Sequence, residues 1–172
     1  SWPLSVVAAS SKGTVQIEEG VVVSSDGGSQ HVALTGKGTY ALQGGVQTLG
    51  NVDASGLEGW VRLTGTINDL NLDGNLQGTN VELSGVSGYL KDLGVEHDDE
   101  FTGNLRLTDV DTTPALLLNN GYSRNGSHYV LSGEVTGDGT WRFQKTGATV
   151  TNRIVFNGDI SGWDGTLDVA SG

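Results

Sequence analysis

The densest group of side chains able to do chemistry in this chain is Glu96-His97-Asp98-Asp99-Glu100. Carboxylate oxygens are hard donors, so Asp98, Asp99 and Glu100 point to Ca2+ rather than to a transition metal. The run lacks the spaced acidic positions and central glycine of an EF-hand loop, and a solvated acidic loop accounts for it without any ion. The expectation is a chain with no required cofactor, in which Ca2+ is the cation to test. Asp69, Asp73 and Asn75 form a second group, but they alternate with Leu70, Leu72 and Leu76. Polar residues stacked at the corners of a repeat explain that spacing.

Other chemistries find less support. His31, His97 and His128 are scattered, and no Gly-x-Ser-x-Gly elbow is present to raise a serine for attack. Gly137-Asp138-Gly139 lacks the Lys-Ser/Thr that grips a phosphate. Paired carboxylates would suit a glycoside hydrolase, yet 20 acidic residues in 172 make accidental pairs unavoidable. The chain is therefore expected not to be an enzyme, with a polysaccharide-degrading activity as the least favoured alternative. Aromatic faces stack on sugar rings, which makes Tyr122, Trp141 and Trp163 the candidate ligand-binding residues. Trp2, Trp60, Tyr40, Tyr89 and Tyr129 belong to the same pool. Packing on a neighbouring repeat competes with sugar binding at each of these positions, above all at Trp60 and Trp141, which open strands.

The composition limits the partners. Nine Lys and Arg against 20 Asp and Glu give a formal charge of −11, which repels phosphate backbones and anionic headgroups. Nucleic acid is excluded as a partner, and so is direct membrane insertion. Without cysteine there is no disulfide framework, thiolate metal site or thiol nucleophile. The chain begins Ser1-Trp2-Pro3 and ends Ala170-Ser171-Gly172, which reads as a processed or excised piece cut through a continuing repeat.

The elements that must position these residues are strands. The 28 glycines interrupt almost every window long enough for a helical apolar stripe, and Val86 to Val95 is the stretch left for a helical turn. Short alternating segments recur instead, among them Trp60-Val61-Arg62-Leu63-Thr64, Asn80-Val81-Glu82-Leu83-Ser84, Asn104-Leu105-Arg106-Leu107-Thr108 and Thr166-Leu167-Asp168-Val169. Apolar and polar residues alternate with period two, as on a strand buried on one face. Gly, Asn, Asp and Ser bound each segment and tolerate the tight turns between them.

The segments also repeat. Leu131-Ser132-Gly133-Glu134-Val135-Thr136-Gly137-Asp138-Gly139-Thr140-Trp141-Arg142-Phe143 matches Phe156-Asn157-Gly158-Asp159-Ile160-Ser161-Gly162-Trp163-Asp164-Gly165-Thr166-Leu167-Asp168-Val169 once one inserted residue is allowed. Taking the strand as a marker, Val61 to Val81 is 20 residues, Val81 to Leu105 is 24 and Phe143 to Val169 is 26. Spacings in the twenties suit the coils of a solenoid. They predict an all-β fold, a right-handed parallel β-helix, as a single solenoid segment over 1–172, clearest at 129–172 and irregular over about 88–126. An antiparallel β-sandwich is the alternative, because short strands with turn signals also describe it. The loop Leu116 to Gly126 is the expected functional protrusion.

The run Gly137-Asp138-Gly139-Thr140-Trp141-Arg142-Phe143 and the run Gly162-Trp163-Asp164-Gly165-Thr166-Leu167-Asp168-Val169 resemble the autotransporter-associated β-strand repeats of bacterial autotransporter passengers. The resemblance covers about the last 45 residues, from Tyr129 onward. It implies a β-helix exported to the bacterial cell surface as a stalk or adhesin, and that family has no shared catalytic residues to carry over. The expectation is a non-enzymatic segment of a secreted bacterial surface protein, acting as an extracellular scaffold or adhesin, with a glycan-binding module as the alternative. Its expected partners are neighbouring segments of a longer parent chain, or a second copy through the coil ends, and host or environmental glycans. Open solenoid ends carry unpaired strand edges, which is why the ends are the expected contact.

Overall fold

A computed structural model describes residues 4–5, 13–25, 32–42, 52–70, 76, 78–91, 99–108, 116–119, 128–138, 140–144 and 153–171. The first rungs are β1 (Leu4–Ser5), β2 (Gly13–Ile17), β3 (Val22–Ser25), β4 (Val32–Gly36), β5 (Thr39–Leu42) and β6 (Val52–Leu57). Two long strands follow, β7 (Trp60–Leu70) and β8 (Asn80–Lys91). The remainder are β9 (Asp99–Phe101), β10 (Leu105–Thr108), β11 (Leu116–Asn119), β12 (His128–Leu131), β13 (Val135–Gly137), β14 (Thr140–Gln144), β15 (Arg153–Phe156) and β16 (Thr166–Ser171).

Among the described residues every strand pairing is parallel, and each joins residues one coil apart in sequence. The chain is an all-β parallel β-solenoid, and its winding is consistent with the right-handed sense of parallel crossovers. The antiparallel sandwich is thereby excluded, since hairpin-linked strands would run in opposite directions. Among the described residues there is no helix, and Val86 to Lys91 belongs to β8. The helical turn expected over Val86 to Val95 is corrected to that extent, and the rest of the stretch falls outside the described residues. Parallel pairing with Gly65–Ile67 on one side and β11 on the other overrides the weak local preference.

The three register steps read from spacing are present as strand partners: Val61↔Val81, Leu105↔Val81 and Phe143↔Val169. One side of the solenoid is built from β2-β4-β6 and then β9-β12-β15. The next carries β3, β5, the first halves of β7 and β8, then β10 and β13. At β8 the sheet forks, because residues 80–84 lead into β10 while residues 88–91 pair with β11, followed by β14 and β16. Coil length is uneven along the chain, from 17 residues between the partners Val22 and Thr39 to 30 between Leu105 and Val135, and back to 26 between Phe143 and Val169. The stretch 88–126 contains β9, β10 and β11 and feeds the longest of these steps.

Alternation places one residue of each pair inside. Val23, Tyr40, Val61, Val81, Leu105 and Val135 stack in one buried column, and Leu42, Leu63, Leu83 and Leu107 stand in the next. Each fully buried aliphatic contributes roughly 1.5–3 kcal/mol before chain entropy is subtracted. Corners are closed by backbone bonds between coils, such as Trp60 N–H to Gly38 O at 3.1 Å and Asn157 N–H to Leu131 O at 2.8 Å. Close approach at one corner excludes side chains: a Cβ on Gly133 would lie 2.0 Å from the Gly103 carbonyl oxygen, and one on Gly158 would lie 2.0 Å from that of Gly133. Gly137 has both constraints, with φ of 99° and a Cβ position 1.8 Å from Leu107 O.

Candidate functional site

The outward residues of β7, β8 and β10 form a connected polar surface. Register places Arg62 beside Glu82 and Glu82 beside Arg106, so three charged side chains alternate in sign up one column. Their inward neighbours Val61, Leu63, Val81, Leu83, Leu105 and Leu107 are buried, and this packing fixes the backbone that presents them.

Glu82 points away from the core yet is only 8% exposed. Arg62 Nε donates to Glu82 Oε2 at 3.1 Å, and Thr108 Oγ1 donates to Oε1 at 3.4 Å. Arg106 does not complete the ion-pair column. Its guanidinium lies over the Trp60 ring, 4.1 Å from the centroid, where the ring's negative face attracts it. Trp60 is half-buried in this arrangement.

A ladder of amides borders the charged column. Asn80 Nδ2 donates to Gly59 O at 3.2 Å, Asn104 N–H donates to Asn80 Oδ1 at 3.3 Å, and Glu134 N–H donates to Asn104 Oδ1 at 3.0 Å. These bonds tie successive coils together and consume side-chain groups that a ligand would need. Chemically, the column holds one carboxylate, with one oxygen engaged by the Arg62 guanidinium and the other by the Thr108 hydroxyl. Among the described residues no group of three or more His, Cys, Asp or Glu side chains is placed to hold a metal ion.

The residues singled out in the sequence fall in different places. Tyr122 and Asp98 lie outside the described residues. Trp141 stands in β14, between partners Leu116 and Leu167, with its backbone alone described. Asp99 begins β9, likewise with only its backbone described, and pairs with Tyr129. Glu100 follows it and is exposed, and its Oε1 accepts a bond from Ser132 Oγ on the next coil. Trp163 is half-buried, packs against the hydrophobic core and stacks on Phe156 with centroids 6.2 Å apart. Of the wider aromatic pool, Tyr40 is 2% exposed within the stack.

Arg62, Glu82 and Arg106 were not singled out by residue type. Their signal lay in the repeat: Trp60-x-Arg62, Asn80-x-Glu82 and Asn104-x-Arg106 are the same strand position at the 20- and 24-residue steps. Aligning the strands on their apolar residues brings the three charges into one column.

Fold and surface together define a repeat-built parallel β-solenoid. No protein-family model, curated protein or solved structure matches the chain. Among the described residues no helix is long and apolar enough to cross a membrane.

Proposed function

We propose that the chain is a non-enzymatic segment of a secreted bacterial cell-surface protein, and that it serves as an extracellular scaffold which extends or displays what it carries. Coils of a longer parent chain, or of a second copy, are its partners at the ends. The observation that supports a scaffold over a glycan-binding module is the state of the aromatic side chains. Tyr40 and Phe101 are buried, Trp60 lies under Arg106, and Phe156 and Trp163 stack on each other. Each of these described rings is buried or already has a neighbouring side chain against its ring, which leaves less of it for a sugar to stack on. The amide ladder points the same way, because it spends polar groups on holding coils together.

A glycan array tests the reading, with the purified chain beside a Tyr122→Ala, Trp141→Ala, Trp163→Ala variant shown by circular dichroism to be folded. The expected result is no reproducible binding at any glycan. Binding that is lost in the variant would replace the scaffold with a glycan-binding module. Protease accessibility of the parent protein on intact cells checks the location, and protection there would remove the surface assignment.

A further inference from the structure

We infer that Asn157 is a latent modification site: its side-chain amide is poised to deamidate through the Gly158 nitrogen, and the assembled corner holds that reaction off until the coil opens. The inference goes beyond the scaffold reading and does not depend on it, because it rests on bonds that the corner makes to the coil beneath.

Asparagine followed by glycine is the dipeptide in which this chemistry meets least hindrance, since glycine has no side chain to shield its own backbone nitrogen and leaves the chain free to turn. The Gly158 nitrogen attacks Asn157 Cγ and a C–N bond forms. The bond from Cγ to the side-chain nitrogen breaks, and ammonia leaves with the proton that the Gly158 amide gave up. Water then opens the cyclic imide at either carbonyl. One opening leaves aspartate, and the other leaves isoaspartate, with the main chain rerouted through the former side chain. Water is the sole co-reactant, and Asn157 is exposed.

The corner opposes both requirements of the ring closure. Asn157 N–H and Gly158 N–H donate to the same acceptor, Leu131 O, at 2.8 and 3.2 Å. The Gly158 nitrogen has to shed its proton, and its peptide plane has to swing toward Cγ; either step breaks the bond to Leu131 O. Space is short as well, because a Cβ on Gly158 would lie 2.0 Å from Gly133 O and 2.7 Å from Ser132 O. The same device occurs earlier in the chain, where Glu58 N–H and Gly59 N–H share Gly36 O at 2.9 and 3.2 Å. There a Cβ on Gly59 would lie 1.8 Å from Gly38 O.

Exposure of the side chain belongs to this corner position in inner coils too. Phe156, Leu131 and Phe101 are successive strand partners, and of the residues that follow them in the two lower coils Thr102 is exposed and Ser132 half-buried. Thr102, Ser132 and Glu58 all precede a glycine as Asn157 does, and of the four Asn157 alone carries a carboxamide. Glu58 shows that the position accepts a carboxylate, so the aspartate product fits the corner. Isoaspartate does not, because it adds a methylene to the main chain between the two N–H groups that share Leu131 O. Opening permits the reaction, and the isoaspartate product then prevents the corner from closing again.

Peptide mapping by mass spectrometry follows Asn157 during incubation at mildly alkaline pH and separates it from the Asn-Gly pairs at 120–121 and 125–126. The intact chain, the chain in strong urea and a synthetic peptide of residues 151–164 run in parallel. Conversion to aspartate and isoaspartate is expected in urea and in the peptide, and about tenfold slower or more in the intact chain, where it waits on local opening. Gly133→Ala, which crowds the coil beneath, should speed conversion of Asn157 severalfold in native buffer, whereas Gly13→Ala should leave it unchanged. If Gly133→Ala does not fold, urea concentrations below the unfolding transition take its place, and the rate should climb along the series. The proposal is overturned if the intact chain converts as fast as the peptide, if Asn157 stays unmodified in urea, or if the rate ignores both Gly133→Ala and the urea series.

Discussion

The guanidinium carbon of Arg106 lies 4.1 Å from the centre of the Trp60 ring, although β8 runs between the strands that carry them. The contact joins β10 to β7 across the strand that carries Glu82. It acts as a clip across the stack, since separating either rung from β8 must also separate the ring from the cation.

A double-mutant cycle on Trp60→Ala and Arg106→Ala measures that clip. The expected coupling is about 0.5–1 kcal/mol, the range for a cation over an aromatic ring at a partly exposed site. Urea unfolding followed by circular dichroism gives the four stabilities. Additive losses would show that the two side chains merely lie near each other.

Glycines in this chain differ sharply in what they tolerate, as Gly13 and Gly133 show. A Cβ at Gly13 meets nothing within 4 Å, and its φ is not in the left-handed region. Gly13→Ala is expected to be neutral or to stabilise by about 0.4–1 kcal/mol through the unfolded chain. Gly133→Ala pushes a methyl group into the Gly103 carbonyl and is expected to cost about 1–3 kcal/mol or more. Equal stabilities for the two variants would remove the close-packed corner as a structural determinant.

Burial depends on a residue's rung as well as on its type. Leu83→Ala, in a fully buried central column, is expected to cost about 2–5 kcal/mol. Val15→Ala, in the half-covered β2, is expected to cost about 0.5–1.5 kcal/mol. Stability in a stack is close to a sum of neighbouring-rung terms, so the ordering should hold in both thermal and denaturant melts.

The Asp159 carboxyl is held below the usual aspartate range, first by the Ser161 backbone N–H, which donates to Oδ1 at 2.8 Å, and then by the Ser161 hydroxyl. A depressed folded value means that the turn's stabilisation is present above the unfolded pKa and is lost as pH falls through the folded one. Carboxyl-carbon NMR should find Asp159 titrating low, and Ser161→Ala should raise it only partway because the backbone donor remains. Complete reversion in that variant would assign the effect to the hydroxyl instead.

The fold was legible because inward aliphatics and corner glycines obey the same period as the coils. Val61, Val81 and Leu105 could be aligned by eye, and each alignment is a strand pairing. The repeat at Leu131 and Phe156 also carries over as a direct partnership. The polar surface was much less legible. Whether Arg62 and Arg106 share a column with Glu82 depends on two register steps of unequal length, and the turn of Arg106 onto Trp60 depends on side-chain reach across β8. Local propensity also misled at Val86 to Lys91, where glycines and small residues concealed a strand that only its neighbours define.

The uneven coil lengths have a consequence for how such a molecule can change size. Rungs built with steps of 17 and of 30 residues all advance the stack by one strand spacing, about 4.8 Å. Residues inserted into a coil therefore add girth and leave reach untouched, while reach grows only by duplicating a whole rung. Height is counted in integers and width is continuous, so the two dimensions of the rod can be altered independently by insertion and by duplication.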